Sequence, residues 1–158
     1  MRRKENEITD TDKKLEIIEK NKVCRLALSE DNRPYIVPLN YGYSFEDGAL
    51  TLYFHSAREG KKLDILKKNN LACFEIDCDL GLIEEEDPCA YSYAYQSVVG
   101  TGRILPADTP EEKRDALNKL MRHMTGEDKV YDFPEKALEA VAVYKMEVDA
   151  FTGKEEKR

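Results

Sequence analysis

The sequence predicts an α+β fold that is mainly β, a small antiparallel barrel with peripheral helices, and three observations carry that prediction. First, residues 23–29 and 71–77 alternate side chains at the period of two that a half-buried strand requires, and residues 35–43, 49–55 and 141–148 are rich in β-formers. Second, Glu30-Asp31-Asn32-Arg33-Pro34 and Glu46-Asp47-Gly48 are turn clusters of only a few residues. Such connections make antiparallel hairpins and are too short for the crossover of a βαβ unit. Third, helical periodicity is confined to residues 13–21, 61–69 and 109–124, with a weaker stretch over 135–140.

Each element has its own local reason. Thr9, followed by Asp12, resembles a capping box, and Leu15, Ile17 and Ile18 then give an amphipathic stripe. Cys24, Leu26 and Leu28 oppose Arg25 and Ala27 across the first strand. Residues 35–43 contain Pro38, which cannot donate to a central ladder and points to a bulge or a sheet edge. Between residues 71 and 77, Leu71, Cys73 and Glu75 oppose Ala72, Phe74 and Ile76. A long strand over residues 91–105 sets Tyr91, Tyr93, Tyr95, Ser97 and Val99 on one face, with Gly100 and Gly102 marking a bulge or a close backbone approach. Thr109-Pro110-Glu111-Glu112 is a helix start with Thr as cap and Pro at the first helical position, and that helix should end near Gly126. The sum is roughly six strands and three helices. They form a single domain over residues 1–158, with 1–8 and 155–158 expected to be flexible.

Composition narrows the function. At 158 residues the chain can bury a sizeable core, and 41% hydrophobic residues exclude wholesale disorder. A formal charge of -7 repels nucleic-acid phosphate and anionic membranes, so neither is an expected partner. The charged start Met1-Arg2-Arg3-Lys4-Glu5 is followed by no apolar run, which predicts a cytoplasmic protein. In that reducing setting Cys24, Cys73, Cys78 and Cys89 read as free thiols. Their spacing, with no histidine nearby, does not favour zinc, and no metal site is expected.

One segment stands out against this acidic background. Arg58, Lys61, Lys62, Lys67 and Lys68 face only Glu59 and Asp64, beside His55, Ser56 and Gly60. A strand end, a hydroxyl, a glycine and lysines at a helix start are the parts that bind a phosphate: orphan N–H groups, the positive end of the dipole and charge-assisted donors. The same residues also suit a solvated Lys-rich helix face. The glycine pattern matches neither a Walker loop nor a dinucleotide fingerprint. His55, next to this island, is placed to donate a hydrogen bond or a proton to an anionic ligand. His123 reads as a residue suited to a helix C-terminus. The tyrosine stripe could stack a planar ligand, or belong to a core or a dimer interface.

Three stretches together carry a family likeness: Pro34-Tyr35-Ile36-Val37-Pro38-Leu39-Asn40-Tyr41-Gly42-Tyr43, then Leu52-Tyr53-Phe54-His55-Ser56-Ala57 with Gly60-Lys61-Lys62, then Tyr95-Gln96-Ser97-Val98-Val99-Gly100-Thr101-Gly102. The chain resembles the pyridoxamine 5′-phosphate oxidase-like flavoproteins, and within them the 5-nitroimidazole reductase branch associated with antibiotic resistance. The resemblance implies an FMN-binding split β-barrel that works as a homodimer with FMN at the subunit interface. It implies that Val37, Pro38, Leu39, Asn40 and Tyr41 hold the flavin ring, partly by backbone, and that His55, Ser56, Lys61 and Lys62 hold the phosphate. Tyr95 and Ser97 would approach from the second subunit, and His55 would be the catalytic or substrate-orienting residue. True pyridoxamine-phosphate oxidases carry a C-terminal Arg-rich segment, where this sequence reads Thr152-Gly153-Lys154-Glu155-Glu156-Lys157-Arg158, so oxidation of vitamin B6 is not expected.

The expected activity is therefore an FMN-dependent reductase passing electrons from a reduced donor to a small planar acceptor, such as a nitroimidazole, another nitroaromatic or a quinone. The alternative is a non-catalytic flavin, F420 or haem binding module, or a redox sensor, on the same barrel.

Overall fold

A computed structural model describes residues 3–157. The strands are β1 (Glu7–Ile8), β2 (Cys24–Glu30), β3 (Arg33–Leu39), β4 (Gly42–Glu46), β5 (Ala49–Ala57), β6 (Leu71–Ile83), β7 (Ser92–Pro106) and β8 (Val141–Glu156). The helices are α1 (Thr11–Lys20), α2 (Lys61–Lys68), α3 (Pro110–Thr125) and α4 (Glu135–Glu139). All strand pairs are antiparallel, in the order β3-β2-β6-β7-β8-β5-β4, with β1 added against β8. The two edges of that order, β3 and β4, are joined by Asn40 and Tyr41 alone. So short a link requires the sheet to curl until its edges meet, which makes a barrel split along that seam.

The seam corrects the expectation of one strand over residues 35–43. Pro34 and Pro38 do sit on an edge strand, as a missing N–H demands, but the chain leaves that edge at Leu39 and restarts on the opposite one at Gly42. Tertiary contacts make the break. Tyr41 is fully buried, its hydroxyl donating to the carbonyls of Ile18 (2.7 Å) and Asn21 (2.9 Å). His123 on α3, itself 3% exposed, holds the Tyr41 carbonyl through Nδ1 at 2.7 Å. Its Nε2 lies 3.1 Å from the Ile18 carbonyl and 3.2 Å from that of Glu19. His123 is thus a buried clasp between α1, α3 and the seam rather than merely a helix-end residue. At Gly42 the backbones of β4 and α3 come so close that a Cβ would fall on the Leu120 main chain.

The alternation read from the sequence sorts the faces correctly. Cys24, Leu26, Phe74, Ile76 and Val98 are fully buried with Ile17, Ile18, Phe54 and Met146 in the barrel interior. Tyr53 and Val143 face the other way, into a second cluster beneath Ala116, Leu117 and Leu138 of α3 and α4. Tyr91 and Tyr93 are about half exposed, at 46% and 48%, so the tyrosine stripe is not core. Gly100 lies against the Phe74 ring, and the β7–β8 register shifts between Thr101 and Gly102, so both of the features expected there are present.

Other differences are local. Asp10, not Thr9, caps α1, accepting from the Asp12 N–H at 3.0 Å. The strand expected over 141–148 continues to Glu156, because β7 and β1 both pair with its polar second half. The ends expected to be flexible carry pairings where described. Glu7 pairs with Lys154 and Ile8 with Gly153, while Glu155 binds Lys13 and Glu156 binds Asn6. Residues 1, 2 and 158 of those ends lie outside the described residues. Among the described residues eight strands stand where six were expected, the additions being β1 and the divided strand, and the weaker helical stretch over 135–140 is the short α4.

Candidate functional site

The site is built where β5 runs into α2. Ser56 faces the barrel side with Phe54, whereas His55 is exposed on the opposite face, next to Tyr53, as strand alternation dictates. Ser56 Oγ donates to the Ala57 carbonyl at 2.8 Å. After Arg58, whose guanidinium donates to the Glu139 carbonyl at 3.1 Å, the chain turns at Gly60 with φ 132° and ψ 161°. That backbone conformation strains any residue with a side chain, and a Cβ there would meet nothing within 4 Å.

Gly60 opens α2 without giving it a cap. No side chain bonds the first turn, and the Gly60 carbonyl accepts from Leu63 (2.9 Å) and Asp64 (3.2 Å). The N–H groups of Lys61 and Lys62 have no intrahelical acceptor, because the first turn of a helix never does. They lie at the positive end of the helix dipole. The arrangement can hold a phosphate by backbone and charge together.

Lys61 also ties α2 to the barrel edge: its ammonium lies 4.9 Å from the centre of the Tyr35 ring on β3. Tyr35 had no signal in the sequence, since only the packing of α2 against the sheet brings the two together. Along β3, Val37, Pro38 and Leu39 pair with β2 on one side only, so the other side offers unpaired backbone groups. Asn40 is exposed and donates to the Lys22 carbonyl at 2.9 Å. Tyr41 is fully buried, with its hydroxyl on the Ile18 and Asn21 carbonyls and its own carbonyl held by His123, so it is not open to this group.

The structure does not bring Tyr95 and Ser97 to this group. His55 pairs with Val143 near the start of β8, whereas Tyr95 pairs with Glu156 and Ser97 with Lys154 near its other end. On an extended strand that separation is on the order of 40 Å. Tyr95 instead has the Lys154 ammonium 5.3 Å from its ring centre. Among the described residues no group of His, Cys, Asp and Glu is placed to hold a metal ion, and no helix is long and apolar enough to cross a membrane.

Comparison with known proteins agrees with this architecture. The family profile described as pyridoxamine 5′-phosphate oxidase matches residues 10–155. A crystal structure of a candidate 5-nitroimidazole antibiotic resistance protein from Bacteroides thetaiotaomicron VPI-5482 is 34% identical, with 94% of this chain and 85% of that chain covered, at a TM-score of 0.79. The FAD and haem binding protein of Mycobacterium smegmatis shares the fold at a TM-score of 0.81 and 18% identity, over 97% of this chain and 74% of that one. The flavocytochrome Anf3 of Azotobacter vinelandii does so at 0.81 and 16%, over 100% and 72%. No curated protein matches the chain. With nearly the whole chain matched by one profile, and the same barrel in each neighbour, this protein belongs to the pyridoxamine 5′-phosphate oxidase family.

Proposed function

We propose that the chain is a cytoplasmic, homodimeric FMN-dependent oxidoreductase that reduces a small planar acceptor such as a nitroimidazole, another nitroaromatic or a quinone. The observation that carries this reading is the open N-terminus of α2: an uncapped helix end at Gly60, with Ser56, Lys61 and Lys62 around it. These residues fit a flavin phosphate, since the missing Cβ at Gly60 leaves free space beside the amides of the first turn. The unpaired side of β3, from Val37 to Leu39, with the exposed Asn40 beside it, fits the hydrogen-bonding edge of the ring.

When bound, FMN supplies the hydride or electron chemistry, between a reduced donor and the acceptor. The chain's own residues bind and orient. Lys61 and Lys62 neutralise the phosphate, and the exposed His55 donates a hydrogen bond to the acceptor or to the negative charge it gains. Tyr95 and Ser97 complete the site from the second copy. Two observations support that copy. Tyr95 cannot reach His55 within one chain, and the outer face of the sheet carries exposed Ile36 (63%), Leu71 (51%) and Val99 (40%). Apolar groups in that number on one face suit an interface. The nitroimidazole acceptor is supported by the resistance protein at 34% identity.

The test is the visible absorption spectrum of freshly purified protein, followed by acid release of the chromophore and anaerobic mixing of the reduced protein with a nitroimidazole. FMN in the released fraction, and reoxidation faster than in buffer, are the expected results. A haem band would redirect the site to haem binding, and a colourless protein that takes up no FMN would end the proposal. Bound flavin indifferent to nitroaromatics and quinones would leave a binding module or sensor. His55→Ala should lower turnover per bound flavin more than it lowers flavin retention.

A further inference from the structure

We propose that Tyr144 is a positioning residue of the phosphate site: its buried hydroxyl donates to Ser56 Oγ when Ser56 turns its own hydrogen to a phosphate at the start of α2. This role presupposes the FMN reading above, since a phosphate is what Ser56 would meet there. Strand register brings the pair together. Phe54 pairs with Tyr144 and Ser56 with Ala142, so Ser56 and Tyr144 are diagonal neighbours on the barrel side of β5 and β8. An aromatic side chain spans that diagonal.

Tyr144 has a hydrogen to give and one neighbour to take it. It is 3% exposed, with its ring stacked on Phe54 at 5.7 Å. Its buried hydroxyl makes no hydrogen bond to any described residue, and the polar side chain beside it is Ser56. Burial pushes the Tyr144 phenol up to about 12, so it keeps its hydrogen at neutral pH. Phenylalanine would make the same stack and leave no polar atom to satisfy, so the hydroxyl adds only what Ser56 can use.

Ser56 is the link because a serine hydroxyl donates once and accepts twice. Its single hydrogen goes to the Ala57 carbonyl at 2.8 Å, which leaves the oxygen able to accept. Turned to a phosphate oxygen, the same hydrogen makes a charge-assisted bond, and a hydroxyl whose oxygen accepts from a second donor is itself the stronger donor. Lys61 and Lys62 supply charge without direction, whereas the chain from Tyr144 through Ser56 supplies direction. A flavin that lacks the phosphate gains nothing from it.

FMN and riboflavin, which differ only in that phosphate, test this when each is titrated into the full chain freed of flavin. Ser56→Ala should lower the FMN-to-riboflavin affinity ratio about threefold to tenfold, and Tyr144→Phe about twofold to fivefold, with riboflavin affinity unmoved. The double variant should lose no more than Ser56→Ala alone, because Tyr144 acts only through Ser56. Without flavin, the thermal midpoint of Tyr144→Phe should equal or exceed that of wild type, since the change removes an unsatisfied group. A merely structural tyrosine would weaken both flavins alike or lower that midpoint, and either result would overturn the proposal. So would an unchanged ratio for Tyr144→Phe, or losses that multiply in the double variant. Wild-type protein that takes up no FMN, or binds it no better than riboflavin, ends the phosphate reading and this role with it. Failure in the variants alone strikes only Tyr144.

Discussion

The helices that follow β5 and β7, α2 and α3, begin in opposite ways. At α3, Thr109 accepts from the Glu112 N–H at 3.2 Å, and the Glu112 carboxylate accepts from Thr109 and Asp108 at 3.1 and 3.0 Å. Those backbone donors hold the Glu112 carboxyl below its ordinary range. The same helix ends on a left-handed Gly126, and the His123 ring nitrogens lie against carbonyls from two other segments. At α2 no side chain caps the first turn. One end of the molecule answers its polar groups from within the chain, while the other holds them in place for something outside it. The contrast teaches that incomplete satisfaction, which weakens a fold, also marks where a ligand's contribution is greatest.

The largest effect expected from this contrast is on flavin. Lys61→Ala with Lys62→Ala should weaken FMN binding by a few kcal/mol, on the order of 1.5–3 kcal/mol per lost charge-assisted bond, with the thermal midpoint of the flavin-free protein nearly unchanged. Fluorescence titration with FMN reads this, and affinity within threefold of wild type would show that the lysines are only a solvated face. The reverse pattern is expected at the closed end. Gly42→Ala drives a methyl group into the α3 backbone and should cost about 1–3 kcal/mol in urea unfolding. A silent Gly42→Ala would mean that α3 can lift off the seam freely.

Thr109→Ala should cost about 1 kcal/mol by removing the cap, and lower the midpoint by roughly 2–4 °C without moving the FMN affinity. A change in FMN affinity would break the separation between the two ends. The smallest and most gradual effect is alkaline. Burial pushes the Cys24 thiol up to about 12, and burial with the Glu19 contact pushes the Tyr43 phenol up to about 12. The folded state therefore keeps protons that the unfolded chain releases above about pH 8.5 for the thiol and about pH 10 for the phenol. Stability should be flat with respect to these groups below pH 8 and fall as the pH rises beyond it. A midpoint that climbs between pH 8 and 10.5 would contradict their burial.

How far the sequence could be read follows the same division between local and distant causes. The period of two set Ala72, Phe74 and Ile76 against Leu71, Cys73 and Glu75, and the structure buries the first group, because a strand's faces are fixed by its own alternation. The start of α3 was legible because its capping Thr109 and the Pro110 at the first helical position are neighbours in sequence. Thr9 and Asp10 are both good caps, and local pattern could not choose between neighbours. The break at Asn40 and Tyr41 depends on Ile18 and His123, distant in sequence, so residues 35–43 read as one strand. Of the candidate site, the basic island was visible as chemistry, whereas the approach of Lys61 to Tyr35 and the remoteness of Tyr95 depend on packing and register.

The position of β8 bears on how the protein is made. This strand lies between β7 and β5 and also holds β1, yet it is the last to leave the ribosome. Until residues 141–156 emerge, β5 and β7 each keep an open edge, and neither can find its partner among the strands already synthesised. The sheet therefore closes only once β8 has been made, through contacts of long sequence separation that form slowly. Nascent chains stalled before β8 should be the ones that chaperones hold and that self-associate through those open edges.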